Sequence, residues 1–258
     1  GILADAYTIN VSTSPVREYC TQYAETDLQL LQRLCSEDGI AWHYQHSPDG
    51  HHLVFSDHRT FFPSLGETPY RPGAGLVAEH PVVSQFSQRF STRTSTTTRR
   101  GYDFEFPRLL LEEQATTEFT STLKDNRFPV HFKTEKLGRQ LARQALERHR
   151  CDYQLAEGKS DQAFLRSGHL FGLTEHPRQA HNDLWLLLSV HHAGKQPQVL
   201  EEATPHEATA EDGFTQGYRN SFSAIPGDVS YRPPLLSRPS VLVSQTARVT
   251  GPAGEEIF

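Results

Sequence analysis

The sequence predicts a mainly β, α+β protein in which a few helices are embedded among many short strands. β-Branched and aromatic runs with turn residues between them recur from residue 7 to residue 226. Only residues 26–39 and 134–150 switch to a helical period, and Pro- and Gly-rich segments at 59–81 and 225–239 punctuate the chain.

YTINVS (residues 7–12) alternates as a strand does and is closed by SPV. In TDLQLLQRLCSEDG, Thr26 or Asp27 can cap a helix start, and Gln29, three residues after Thr26, completes a capping box. Leu28, Leu31, Leu34 and Cys35 would share its apolar face, and Gly39 would supply a left-handed stop. IAWHYQH and HLVFSD then read as a hairpin around Pro48, Asp49 and Gly50. Residues 59–81 read as a connector, with a domain boundary near 75.

Beyond it, Val83, Gln85, Ser87 and Arg89 alternate against Phe86 and Phe90, and the following Ser/Thr tract reads as an exposed strand edge. RLLLEEQATTEF is strand-like. From Thr134 to Arg150 a stripe of Leu137, Leu141 and Ala145, flanked by Ala142 and Leu146, predicts a helix whose terminal cations complement its own dipole. SGHLFGLTEHP, DLWLLLSVHHAGK and FTQGYRNSFSAIP are further strands, and the run from Leu184 to Leu188 fits a buried one. SQTARVTGPAGEEIF reads as a strand, a turn and the start of another strand.

A length of 258 residues, 36% hydrophobic and 22% charged, fits a soluble globular chain with two β-rich units. No apolar run of about 18 residues is present to span a bilayer. A net charge of −6 with 14 histidines implies no polyanionic partner. Cys20, Cys35 and Cys151 form no CxxC pair and read as reduced thiols rather than a disulfide framework or zinc ribbon. No basic segment leads into an apolar one, so no secretory signal is expected. The lack of methionine, position 1 included, reads either as an excised piece or as a sequence from which modified methionines have dropped out.

Candidate chemistry is sparse. His43 and His46 would point to opposite faces of a strand, as would the adjacent pairs His51/His52 and His191/His192, so no shared metal is expected. No G-x-S-x-G elbow is present, and Cys35 lies on a helix's apolar face. The consecutive carboxylates Glu112/Glu113 and Glu201/Glu202 carry no sign of acid–base tuning. The cations Lys133, Lys136, Arg139, Arg143, Arg148 and Arg150 are the best case for nucleic acid, but Glu135 and Glu147 interrupt them and a solvated face is the simpler reading. The expectation is therefore no catalytic, cofactor-binding or metal residue, no cofactor, and no nucleic-acid or membrane partner.

The stretch REYCTQYAETDLQLLQRLCSEDGIAWHYQHSPDGHHLVFSD, followed in order by GYDFEFPRLLLEE, GHLFGLTEHP, LSVHHAGKQPQVLEE, GYRNSFSAIP and ARVTGPAGEEI, resembles the VgrG family of spike proteins. Phe106, where the family commonly has lysine before Pro107, and a short 119–133 segment are departures from its pattern. The resemblance implies two antiparallel β-barrel-like hub domains similar to the phage tail hub, three subunits forming a pseudo-sixfold ring, and an OB-type needle domain beyond. It divides the chain into residues 1–75 (end of the first hub barrel with helix and hairpin), 76–228 (second hub barrel with its embedded helix) and 229–258 (linker and first strand of a truncated OB-type needle domain). Roughly the first hundred hub residues of the family precede Gly1 in this reading. The implied role is structural, in a type VI secretion machine that links inner tube to puncturing needle. The implied partners are a homotrimer, an Hcp-like tube protein, and, through the absent needle, a PAAR-type tip and effectors. Assembly would be cytoplasmic, followed by export without a signal peptide. A prophage tail hub and a cell-wall hydrolase are the rival readings.

Overall fold

The computed structural model describes residues 4–73 except 13, 15, 18 and 19, residues 80–196 except 120, residues 217–240, and residues 244 and 246. The expected boundary near 75, the Glu201/Glu202 pair and nearly all of the expected needle segment lie outside these.

The strands form three sheets. In the first, β1 (Tyr7–Asn10) pairs in parallel with β3 (Gly50–Ser56), which forms the expected hairpin with β2 (Ala41–Ser47). The second has six strands in the order β4 (Ser64–Pro69), β10 (Leu170–Thr174), β11 (Leu184–Lys195), β12 (Gly217–Pro226), β9 (Gln154–Ser160), β5 (Val83–Phe90). The third places β6 (Thr96–Gly101) between β7 (Leu111–Thr116) and β8 (Lys124–Arg127). Antiparallel pairing dominates, and each sheet also holds one parallel pair.

The six-stranded sheet curls until its edges meet. Tyr70, just past β4, bridges Val83 of β5, and the Arg71 N–H donates to Val83 O at 2.9 Å. Closure of this kind satisfies edge groups that would otherwise be open to pairing. It also converts part of the stretch read as connector into a barrel strand. Val83, Phe86, Phe171, Leu173, Trp185, Leu187 and Phe222 fill the interior. A register shift between Val83 and Gln85 puts Val83 on the same side as Phe86, where strict alternation had separated them. Leu186 and Ile225, on the other face of β11 and β12, pack with Ala41 and Phe62 and so join the barrel to the hairpin sheet. Trp185 to Leu187 is thus buried on both faces, as the apolar run requires.

Both helices form where the period predicts them; α2 buries its expected stripe, but α1 buries a different face from the expected one. α1 (Asp27–Asp38) has the capping box, with Thr26 accepting from Gln29 N–H and Gln29 closing back on Thr26, and Gly39 ends it at φ 71°. Leu28 and Leu31 are exposed, however, while Arg33, Cys35 and Ser36 are buried. α2 (Glu135–Arg150), capped by Thr134, buries Gly138, Ala142, Ala145 and Leu146, and Leu137 and Leu141 lie at the margin. Small residues on that face let α2 approach β6 closely enough for the Thr97 hydroxyl to donate to Ala142 O at 2.6 Å.

This corrects the reading of the Ser/Thr tract. β6 is the middle strand of its sheet; Ser95, Thr96, Thr97 and Arg99 are all buried, and Thr97 faces α2. A hydroxyl that finds a backbone acceptor can be buried at small cost. The buried threonines therefore carry no apolar signature in the sequence.

Candidate functional site

Among the described residues, those weighed for chemistry do not converge on a site. His43 is buried and His46 exposed, on opposite faces of β2. His46 meets His51 across the hairpin, Nδ1 to Nδ1 at 2.7 Å, while His52 bonds Thr8 and His192 bonds the Tyr218 hydroxyl. Among the described residues no group of three His, Cys, Asp or Glu side chains is placed to hold a metal ion. Burial raises the pKa of Cys35, the opposite of what a nucleophilic thiolate needs. Glu112 pairs with Arg100 and Glu113 with Arg139, on the two faces of β7.

The cations of α2 are largely committed to the protein itself. Arg139 bridges Glu113 and Glu135, and Arg143 pairs with Glu147. Arg150 stacks over the rings of Phe119 and Tyr153, 4.4 and 4.9 Å from their centroids. Arg148 turns away from its own helix end: Nη2 donates to Ser36 O in the last turn of α1 at 2.8 Å, and Nε to Pro233 O at 2.9 Å. It complements the dipole of α1, not that of α2. Burial, with Arg232 nearby, lowers its pKa to about 10.

Two buried histidine contacts were not anticipated. The ring of His43 lies 5.4 Å from that of His169 and 5.8 Å from Phe62, and neither of its nitrogens finds a hydrogen-bond partner. Desolvation, reinforced by His169, lowers its pKa to about 4. Gly168 makes the contact possible, since a Cβ there would come within 2.3 Å of His43 Cβ. At the other end of β10, the rings of His176 and His181 lie tilted to each other, 4.4 Å apart, beside Tyr70 and Phe86. No spacing rule pairs residues this far apart in sequence, so only the fold reveals the first pair.

What the molecule does present is surface. The loop between β6 and β7 exposes Tyr102, Phe104, Phe106, Leu109 and Leu110, with Phe104 at 77% and Leu110 at 76%. β6 and β8 run parallel, with Arg99 opposite Arg127, so exposed Phe128 lies at the same end of the sheet as this loop. Leu28 and Leu31 of α1, Trp42 and Tyr44 of β2, and Ile9 of β1 are further exposed apolar positions. Exposed apolar groups in such number are characteristic of surfaces that other proteins cover.

The described residues form a closed β-barrel sheet, a hairpin sheet and a sheet backed by α2, with several exposed apolar positions. A family model described as phage tail baseplate hub (GPD) matches residues 2–198, and the chain belongs to that family. It is 53% identical over its whole length to the type VI secretion system spike protein VgrG4b of Pseudomonas aeruginosa, and 50% identical to VgrG5 of the same organism. The VgrG resemblance of the sequence motifs is thereby borne out. The chain spans about a third of each relative, 33% and 34%. An E. coli protein described as a component of the type VI secretion system, with structural similarity to T4 bacteriophage tail proteins gp27 and gp5, superposes with a TM-score of 0.61 over 92% of this chain and 48% of its own. At 17% identity that likeness concerns the fold.

Proposed function

We propose that this chain is part of the hub of a type VI secretion spike, a structural component that carries the puncturing needle on the inner tube and contributes no catalysis of its own. The observation that carries the reading is identity of 53% along the entire chain to a spike protein, on a fold shared with a phage-tail-like secretion component. In this reading the protein assembles with two further copies in the cytoplasm and leaves the cell with the machine. An Hcp-like tube protein lies on one side, and a PAAR-type tip and effectors are reached through segments beyond this chain. The loop of Tyr102 to Leu110 is the part of the surface best suited to be covered by a neighbouring subunit, since apolar aromatic anchors dominate the cores of such interfaces.

Native mass spectrometry of the full-length protein tests this. A trimer that falls to monomer in the double substitution Phe104→Ser, Phe106→Ser is expected. A full-length protein that is a stable monomer, or purified protein that turns over cell wall and loses that activity on one carboxylate or thiol substitution, would overturn it.

A further inference from the structure

After β12 the chain does not turn into solvent; residues 228–240 lie across both helices. Val229 and Tyr231 pack against the cluster of Phe62, Leu186 and Ile225. Arg232 then reaches three separate elements. Its Nε donates to Glu147 of α2 at 2.8 Å, and its Nη1 to Gly39 O at the end of α1 and to Asp57 O just after β3, both at 2.9 Å. The missing side chain of Gly39 leaves room for it, since a Cβ there would stand 3.0 Å from Arg232 Cδ. Arg148 holds the next residue through Pro233 O, the Leu236 N–H donates to Ser36 Oγ at 3.3 Å, and Arg238 pairs with Glu37 at the rim at 2.7 Å.

These anchors are not equivalent. Arg238 is exposed, and ion pairs of that kind contribute little. Arg148 and Arg232 are largely enclosed, and Arg148 donates to two backbone carbonyls, one of them on this segment. Lifting the segment would strip an acceptor from a buried cation, which is far more costly than separating two solvated groups. The contacts are also staggered. A pull from the C-terminal side meets Arg238 and Leu236 first, and then the Arg232 and Pro233 anchors, which must give way together.

We propose that residues 228–238 are a tether that passes axial force from the C-terminal side of the chain into α1 and α2, with Arg232 and Arg148 as its positioning residues. This rests on the hub reading, in which thrust crosses this joint. The test is optical-tweezer pulling of this chain, with one handle after residue 240 and the other on an azide-bearing residue placed at exposed Lys159. A distinct first release of roughly 4 nm is expected, the contour of about a dozen residues. Arg232→Ala and Arg148→Met should each raise its zero-force opening rate about tenfold or more, Arg232→Lys should fall between, and Arg238→Ala should change it less than about threefold. Amide exchange in β11 and β12 should stay as in the parent chain, which separates loss of the tether from loss of the fold. A first release at the parent force in Arg232→Ala, or a parent chain that unfolds with no separate release, would overturn the tether. Oligomeric state, the readout of the hub reading, does not enter the measurement.

Discussion

The barrel and the helical joint beside it are held by opposite means. The barrel's interior is apolar and closed, with Trp185, Phe171, Leu173 and Leu187 essentially inaccessible. The joint between α1, α2 and residues 228–240 is held largely by polar contacts. Arg33 donates to Glu25 at 2.6 Å and to Glu37 at 3.1 Å, Arg17 pairs with Glu37 and Asp38, and Arg232 and Arg148 hold the far side. Apolar burial is non-directional and tolerates small displacements, whereas a lattice of arginine forks is correct in one arrangement only. The barrel supplies stability and the joint supplies geometry. A scaffold that must hold a following segment in one orientation needs both.

The largest effect should come from the barrel. Trp185→Ala removes a fully buried indole, together with the Nε1 hydrogen bond to His181 O at 3.0 Å, and should cost about 3–5 kcal/mol in a urea unfolding titration. Salt should leave that loss unchanged. In the joint, Arg33→Ala strands Glu25, while Glu37 keeps Arg17 and Arg238, and should cost about 3 kcal/mol. Here the loss should depend on ionic strength, because a charge pair is removed and a carboxylate is left without its cation. If the salt responses of the two variants coincide, the division between apolar barrel and polar joint fails.

The same division governs what the sequence discloses. β5, β10, β11 and β12 of the barrel, the hairpin and the caps of α1 were legible because apolar periodicity and turn chemistry are local, whereas β4 was read as connector and β9 was not read as a strand. The buried face of α1 was not legible either. Periodicity identifies an apolar stripe on α1 but not whether the chain itself covers it, and this chain buries the arginine and serine side and leaves Leu28 and Leu31 outside. β6 was read as an edge because threonine burial depends on a partner, Ala142 O, that lies 45 residues away. The tether was hidden for a similar reason: a proline-rich coil looks like a linker until Arg148 and Arg232 are seen to hold it. The expectation of no catalytic constellation rested on missing motifs, and the GYDFEFPRLLLEE motif carried a family resemblance without disclosing that Tyr102 to Leu110 would be an exposed apolar loop.

Acidification probes the seam between barrel and hairpin sheet. His43 is buried without hydrogen-bond partners, and its folded pKa of about 4 lies below the ordinary value near 6.5. Its neutral form is the one the fold accepts, so its contribution is fully present above about pH 6.5 and is lost as pH falls toward 4, amounting to about 3 kcal/mol at the lower limit. His43→Phe should flatten stability across that window. Asp125 titrates in a different one. Burial pushes its carboxyl up, but the hydrogen bonds from His149 and Arg99 prevail and bring it down to about 2, so its contribution is lost only below about pH 4. A stability curve that still falls between pH 6.5 and 4 in the His43 variant would place the acid-sensitive group elsewhere.

The smallest effect sharpens the contrast within a single helix. Arg143 and Arg148 both lie on α2, five residues apart, and sequence alone grades them as similar solvated cations. Arg143 is 77% exposed and meets Glu147 in an i,i+4 pair, while Glu147 also takes Arg232 on its other oxygen. Arg143→Ala removes the solvated half of that arrangement and leaves the enclosed half intact. Its cost in thermal or urea unfolding should be about 0.5 kcal/mol or less and should vanish in high salt. A loss comparable to that of Arg33→Ala would mean that Glu147 needs both arginines to hold its place, and that the polar joint extends onto the outer face of α2.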